Sequence, residues 1–477
     1  MDGEVQLQRS LPAAGEIAHA LPDPQRLRAL IRRYAGPGPR YTSYPTAPEW
    51  SEDFGPAAYA EALAGCEARA VSLYVHVPYC ERLCAFCACN RTITQDHALA
   101  GPYLDRIARE LDRVVGALPT APPQLQLAIG GGSPNFLHCE ELERLVRRVD
   151  AHFAPLPGAE RSIELDPRRT SDEQLERLIA LGMNRVSFGV QDLDPRVQEA
   201  IRRRSRPERL TSLVQQARAL GVLSINFDLI YGLPEQSVDS FRETLRRVIE
   251  LRPDRIALYG YAHVTWISKA QRGFEKRDLP SPERRLAIFA AAIETLVAAG
   301  YRFLGMDHFA LPDDALAQAA DRGRLTRNFM GYTIAAGEAL LGFGPSGISE
   351  LPRAYAQSEK DPEAWAAAVD ANRLPTVRGC SLDRDDLERR WLIRSLLCQG
   401  RIAEQAFAET FGVALHEKLP GLEADLNRFM DDDLLAPEEG GYRVTEIGRL
   451  FLRPMAMVFD AYLGRAPRGG KRYSATV

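Results

Sequence analysis

The chain has 477 residues, 45% hydrophobic and 26% charged, and its 60 Lys+Arg against 64 Asp+Glu leave a formal net charge of −4. That length predicts two or three domains with ample core, and a weakly acidic whole argues against a general nucleic-acid binder or a basic membrane-surface protein. No apolar run reaches the roughly 18 residues of a membrane helix, and the opening MDGEVQLQRS has two early acids and no apolar h-region, so a cytoplasmic chain without a secretory signal is expected.

Residues 1–70 read as an arm with leading helices, broken by LPDPQ (21–25) and AGPGPR (35–40). The strip 38–46, GPRYTSYPT, is too polar and Pro-broken for an element interior and reads as extended and ligand-capable. From residue 71 short apolar runs alternate with amphipathic stretches. The runs are SLYVHV (72–77), LQLAI (125–129), SIEL (162–165), RVSFGV (185–190), SINFDLIY (224–231), RIALYGY (255–261) and RFLGM (302–306). Between them lie helical patterns such as SDEQLERLIALG, with Ser171 as start signal and Gly182 as stop. Repeated strand–helix alternation predicts parallel βαβ units. A closed barrel, a partly closed barrel and an open sheet all fit it. Polar or glycine residues gather just after the strand ends: the cysteines, Gly130–Ser133, Glu164, Gln191–Asp192, Asp228 and His263. Chemistry at the C-terminal edge of strands is what a TIM-type barrel gives.

After about residue 375 the pattern turns helical. LDRDDLERRWLIRSLLCQG carries a one-sided apolar stripe, followed by a helix near 421–430 and a hairpin-like GYRVTEIGRLFLR. The expected fold is α/β: an arm (1–70), a partial (β/α)6 barrel (71–374), and a mainly helical, winged-helix-like C-terminal domain (375–477).

Eight cysteines stand at 66, 80, 84, 87, 89, 139, 380 and 398, four of them between 80 and 89. In a large chain expected to be cytoplasmic, such clustering favours metal over disulfides. Cys80, Cys84 and Cys87 follow a strand as CxxxCxxC. Three thiolates on one loop ligate three irons of a 4Fe–4S cluster, whereas all-cysteine ligation needs four. The open iron suits a chelating small molecule such as S-adenosylmethionine. Structural zinc, the rival, usually takes two separated ligand pairs, and no later CxxC or HxxxH supplies the second. Cys89 either tunes the cluster or is a small buried residue.

With Phe86 before the third cysteine, the loop resembles that of the radical S-adenosylmethionine superfamily. More narrowly, residues 38–465 resemble the oxygen-independent coproporphyrinogen III oxidase (dehydrogenase) family. The motifs that carry this are GPRYTSYPTA, YVHVPYCERLCAFCACN, GGGSP, IELDPR, GVQD, FDLIYGLP, MDHFALPDD, RNFMGYT and EIGRLFLR. The resemblance implies one 4Fe–4S cluster on Cys80, Cys84 and Cys87. It implies a first S-adenosylmethionine at Tyr74, Gly131, Glu164 and Ile348, and a second at Phe86, Gly132, Ser133, Gln191, Arg203, Asp228 and Ala262. The implied reaction converts two propionates of coproporphyrinogen III to vinyl groups, giving protoporphyrinogen IX in anaerobic haem and porphyrin biosynthesis. A 5′-deoxyadenosyl radical takes a propionate β-hydrogen, and carbon dioxide and one electron are lost.

A substrate with four propionates needs cations, tyrosines or backbone N–H groups. Arg40, Tyr41, Tyr44, Arg168 and Arg327 are the candidates. His76, His263 and His308 read as hydrogen-bonded strand-end residues rather than metal ligands. The expected partners are the porphyrinogen and a low-potential flavodoxin- or ferredoxin-like electron donor, with no nucleic acid, no membrane and a monomeric chain. The chain departs from the family pattern at Ala88, Ser133, Arg202, Gly260, Thr265, Met330, Pro345 and Gly347. These departures keep open a paralogue acting on another tetrapyrrole. A haem-binding chaperone on the same scaffold is a further rival, which Cys89 and YTSYP oppose. A DNA-binding regulator is opposed by the acidic tail.

Overall fold

The computed structural model describes residues 23–463, apart from 35, 267, 335 and 336. The first 22 residues of the expected arm, and the end of the expected C-terminal domain from 464, lie outside the described residues.

The seven apolar runs all enter one twelve-stranded sheet. In chain order its strands are β1 (Val71–Val77), β2 (Gln124–Gly131), β3 (Pro155–Leu165), β4 (Arg185–Gln191), β5 (Ser224–Tyr231), β6 (Arg255–Gly260), β7 (Arg302–Gly305), β8 (His308–Ala310), β9 (Ala339–Phe343), β10 (Ile348–Leu351), β11 (Ala354–Ser358) and β12 (Thr376–Ser381). Across the sheet the order is β12-β11-β10-β9-β1-β2-β3-β4-β5-β6-β8-β7. Strands β1 to β6 are parallel neighbours, with crossovers such as Ala100–Ala117, Cys139–His152 and Val238–Leu251. This is the expected partial (β/α)6 barrel. The run at 302–306 departs from the parallel expectation. It forms β7, an edge strand antiparallel to β8, itself antiparallel to β6. The link from β7 to β8 is only a two-residue turn, too short for a parallel crossover.

The helices start where side chains can satisfy free backbone N–H groups. Ser171 Oγ accepts from Gln174 N at 3.0 Å, and Gln174 Oε1 accepts from Ser171 N at 3.3 Å. This reciprocal pair fixes the start of Asp172–Ala180, whose Leu175 and Leu178 are buried.

Side chains alternate across each parallel strand. Leu73, Val75 and Val77, Leu127 and Ile129, Ile163 and Leu165, Val186 and Phe188, Ile225 and Phe227, and Ile256 and Leu258 belong to the main hydrophobic core. The intervening residues line an inner chamber: Tyr74 and His76, Gln126 and Ala128, Ser162 and Glu164, Ser187 and Gly189, Asn226 and Asp228, and Ala257 and Tyr259. A closed eight-stranded barrel fills this space with branched apolar side chains; here it is polar and open. His308 of β8 and Gln357 of β11 line the same chamber, so the sheet curls around it.

A buried ion cluster closes one end of the chamber. Arg185 Nε lies 2.8 Å from Glu160 Oε2, and Arg255 Nε lies 2.9 Å from Asp314 Oδ1. Each cation has an acid, which such burial requires.

Beyond β12, the helix Arg384–Arg394 leads to a three-stranded antiparallel sheet (Arg401–Ala403, Leu435–Glu438, Gly441–Val444) and the helices Glu404–Phe411, Leu415–Lys418 and Leu422–Asp431. Helices followed by a hairpin give the expected winged-helix-like outline. A second core joins Leu396, Phe407, Phe429 and Phe451 of this part to Leu27 and Leu30 of helix Pro24–Tyr34 and to Leu304 and Tyr332. Tyr34 OH also donates to Asp432 at 2.5 Å. Helix Pro24–Tyr34 of the arm thus docks on the C-terminal part, whereas Phe54, Tyr59 and Leu63 of its later stretch join the main core. No helix among the described residues is long and apolar enough to cross a membrane.

Candidate active site at the chamber mouth

The cysteine loop leaves β1 through Pro78. Its two ends are joined where Tyr79–Cys80 pairs with Thr92–Ile93. Ala85 N donates to Ile201 O at 3.0 Å. Gln271 Nε2 donates to Phe86 O at 2.6 Å and to Ala262 O at 3.1 Å, while Gln271 Oε1 accepts from Val264 N at 2.6 Å. Ser268 Oγ donates to Cys87 O at 2.8 Å. Residues on two other loops therefore set the path of the chain through the cysteines. Cys84 is buried, Cys80 and Cys87 half-buried, Cys89 exposed, and all four line the chamber.

Around Cys84 the charges are arranged for a thiolate. Arg203 Nη1 reaches its Sγ at 3.3 Å and Arg168 Nη2 at 3.6 Å. Both guanidiniums are held by Asp166, at 3.2 Å and 2.6 Å. Burial works against the Asp166 charge, yet the two arginines hold its carboxyl down at about 2. Arg203 also donates to Gly189 O at 2.6 Å. Cys87 is pulled down to about 6 by a hydrogen bond with the Cys89 thiol, against burial and with help from Arg91. The same bond raises Cys89. Cys80 is pushed up to about 12 by burial and by the neighbouring sulfurs. Among the described residues no three His, Cys, Asp or Glu side chains close on a point as one metal ion requires. Thiolates serving three corners of a cube stand farther apart than that.

Opposite the cysteines the backbone of Gly131 and Gly132 passes close to the loop. Gly132 N donates to Val77 O at 2.7 Å and Ser133 N to Tyr79 O at 2.9 Å. A Cβ on Gly132 would lie 2.7 Å from Tyr79 O. Gly131 has a φ of +114° and leaves no room beside the His76 ring, 2.8 Å from an added Cβ. Glycine is what permits this approach.

Two acids face the chamber beyond the glycines. Glu164 Oε2 accepts from Gly131 N at 3.2 Å. Burial and the nearby Asp228 charge push its carboxyl up to about 7. Asp228 is raised by burial, against hydrogen bonds from Ser187 at 3.0 Å and Asn226 at 2.9 Å. Glu164 is open to the chamber and Asp228 half-buried at its wall; chamber-facing carboxylates with spare acceptor capacity suit ribose hydroxyls or an ammonium group.

Of the residues named from the sequence, Tyr74, Cys80, Cys84, Phe86, Cys87, Gly131, Gly132, Ser133, Glu164, Gln191, Arg203, Asp228 and Ile348 all line this one chamber. Ala262 is not among the lining residues; its carbonyl is taken by Gln271. Gln191 holds a φ of +68°, turning the chain at the end of β4. His76 bridges Tyr74 OH (3.1 Å) and Asn90 O (2.9 Å), and His263 meets Tyr261 OH at 3.2 Å, hydrogen-bonded as expected. Gly260 has a local cause: an added Cβ would stand 2.6 Å from Arg285 Nη2 and 2.9 Å from Tyr231 OH. Met330 lines the chamber. Two contributors escape sequence reasoning. Gln271 is an ordinary loop glutamine with no motif around it. Asp166 sits inside IELDPR, but nothing local says that it serves two arginines at once.

The donor set, the close backbone approach and the chamber-facing carboxylates fit a cluster held by three thiolates together with a sulfonium nucleotide. Comparison with known proteins agrees. The Radical SAM superfamily profile matches residues 74–248. An oxygen-independent coproporphyrinogen III oxidase of Pseudomonas aeruginosa is 41% identical over 452 residues, covering 94% of this chain and 98% of that protein. The protein of the same name from Escherichia coli K12 is 42% identical over 442 residues, covering 92% and 96%. The solved structure of an Escherichia coli coproporphyrinogen III oxidase, described as a radical SAM enzyme, superposes with a TM-score of 0.87 at 41% identity, over 91% of this chain and 99% of that one. The chain belongs to the oxygen-independent coproporphyrinogen III oxidase family of the radical SAM superfamily.

Proposed function

We propose that this protein is an oxidoreductase that converts two propionates of coproporphyrinogen III to vinyl groups, giving protoporphyrinogen IX without oxygen. The observation that carries this is the joining of the cysteine loop, the glycine turn and the two acids around one cavity of about 1290 Å³. Pockets for a single small ligand run from about 300 to 1,000 Å³, so this one has room for a nucleotide and a tetrapyrrole together. When bound, the cluster supplies the electron that splits the sulfonium S–C bond of S-adenosylmethionine, which makes hydrogen-atom abstraction available.

The chain's own residues hold and shield that chemistry. Cys80, Cys84 and Cys87 are the cluster ligands. Arg168 and Arg203 offset thiolate charge at Cys84, and Asp166 keeps both guanidiniums in place. Gly131 and Gly132 let backbone groups meet the amino-acid end of the first S-adenosylmethionine, with Tyr74, Glu164 and Ile348 around it. Phe86, Ser133, Gln191, Arg203 and Asp228 serve a second molecule; Ala262 serves it through the loop that Gln271 fastens. The curl of the sheet sets the reacting groups inside the chamber, which limits the bulk water that reaches a reactive carbon radical.

The barrel (71–374) carries the chemistry, and the C-terminal part with the arm covers the chamber. Tyr332, a chamber residue, donates from its OH to Leu397 O at 2.7 Å, which supports that division. The chain works as a cytoplasmic monomer supplied with electrons by a flavodoxin- or ferredoxin-like carrier.

The test is anaerobic incubation of the reconstituted protein with reductant, S-adenosylmethionine and coproporphyrinogen III. Methionine, 5′-deoxyadenosine and a divinyl product are expected. Nucleoside release without vinyl product would keep the radical chemistry and remove the substrate. No iron or sulfide after reconstitution would remove both.

A further inference from the structure

Of the five side chains the sequence offers to propionates, four are engaged by the protein itself. Arg40 pairs with Asp307 at 2.8 Å and Arg168 with Asp166 at 2.6 Å. Tyr41 OH donates to Asp460 at 3.0 Å, and Tyr44 OH accepts from Ala461 N at 3.0 Å. Arg327 differs. It retains only 7% of its exposure, and its Nε and Nη1 are sealed from solvent without an acceptor. Among the described residues no carboxylate pairs with it. What it does meet is the ring of Tyr332, whose centroid lies 5.1 Å from the guanidinium carbon. A cation buried against an aromatic face, with no anion, is a costly arrangement for a resting protein.

The surroundings place this cation directly behind the chamber wall, of which it is not itself a lining residue. Arg327 and Tyr332 are directly paired across the hairpin Thr326–Asn328/Gly331–Thr333. Tyr332 meets the His308 ring at 5.1 Å, edge to face, and His308 meets Tyr259 at 6.3 Å. Tyr332, His308 and Tyr259 all line the chamber. His308, unlike His76 and His263, departs from the hydrogen-bonded role expected of it, since its Nδ1 is likewise buried without a partner. Three guanidiniums act on His308, those of Arg327, Arg255 and Arg40. Arg255 has Asp314 and Arg40 has Asp307, so Arg327 is the one left uncompensated.

We propose that Arg327, with His308 and the Tyr259 hydroxyl beside it, is a carboxylate subsite that grips one propionate of the substrate. This rests on the tetrapyrrole reading given above. The carboxylate supplies the missing counter-charge, and the planar guanidinium offers it two parallel N–H donors. The hairpin that bears Arg327 thereby fixes how the macrocycle is turned in the chamber.

The experiment is a fluorescence titration of the full-length protein with coproporphyrin III and, separately, with its tetramethyl ester, which has the same ring and no charge. The wild type is expected to bind the tetracarboxylate at least tenfold more tightly than the ester. Arg327→Met should lose about tenfold for the tetracarboxylate and leave the ester unchanged; Arg327→Lys, keeping charge but not the fork, should fall between. Without ligand, Arg327→Met should melt above the wild type, because an uncompensated buried charge is gone. A purely structural arginine would lower the melting temperature and weaken both porphyrins alike, which would overturn the proposal. So would an Arg327→Met protein that still separates the two ligands as the wild type does. If the wild type binds neither porphyrin, the substrate reading itself fails and this subsite falls with it.

Discussion

Replacing Asp166 with Asn tests whether the charge arrangement around Cys84 is built into the fold. Asp166 has 11% side-chain exposure and faces Arg203 and Arg168, whose side chains are 10% and 13% exposed, so solvent screening is slight. Its carboxyl is held at about 2, against an ordinary value of 3.8. At 1.36 kcal/mol per unit, this depression corresponds to about 2 kcal/mol of folding stability. Removing one partner of a buried pair costs about 3–5 kcal/mol in general. Asparagine keeps part of the hydrogen bonding, so the loss at pH 7 should fall between about 2 and 5 kcal/mol. The sign with pH follows from the direction of the shift. A carboxyl whose folded-state pKa is lowered stabilises the fold above its unfolded value. That contribution fades as pH drops from about 4 towards 2. Urea midpoints of wild type and Asp166→Asn, followed by fluorescence between pH 7 and pH 3, should therefore converge on acidification. A variant as stable as wild type at pH 7, or a gap that stays constant to pH 3, would refute the coupling of Asp166 to the two arginines.

Glu164→Gln should raise the melting temperature at pH 8, because a carboxyl pushed up to about 7 disfavours the fold once ionised; the gain should vanish below about pH 4.5. In the same variant S-adenosylmethionine affinity, read by calorimetry, should fall and lose its rise between pH 6 and 8. Gly132→Ala puts a methyl 2.7 Å from a backbone oxygen and should cost about 1–3 kcal/mol and disrupt nucleotide binding. Gly116→Ala, with nothing within 4 Å, should be neutral or stabilising by up to about 1 kcal/mol in a melting assay. Iron and sulfide analysis after reconstitution should give none for Cys84→Ala and a full cluster for Cys89→Ala, whose visible spectrum alone should change.

Local patterns carried much of the fold, and their limits are physical. The β1 to β6 runs were legible because buried parallel strands are short and rich in branched residues. RFLGM looks the same, yet nothing within five residues states a strand's direction; the two-residue turn to β8 does. ALLGF, ISEL and AYAQS escaped because each is only four or five residues long, and the polar residues of the last two blur any period. At the site, CxxxCxxC and GGGSP are contiguous and readable. Arg168 is readable only as a cation. Its partner Asp166 assigns it to Cys84 rather than to a propionate. Glu110 is wholly silent in sequence. It is buried in a helix and accepts from Gly344 N at 2.9 Å and Trp365 Nε1 at 3.2 Å, groups more than two hundred positions away.

The bonds from Gln271 and Ser268 to the carbonyls of Phe86 and Cys87 have one further meaning. They fasten the sulfur-bearing turn by its main chain, independently of what the sulfurs hold. The path of the chain through the sulfurs therefore has supports of its own, made by amide and hydroxyl groups that no change in sulfur ligation removes.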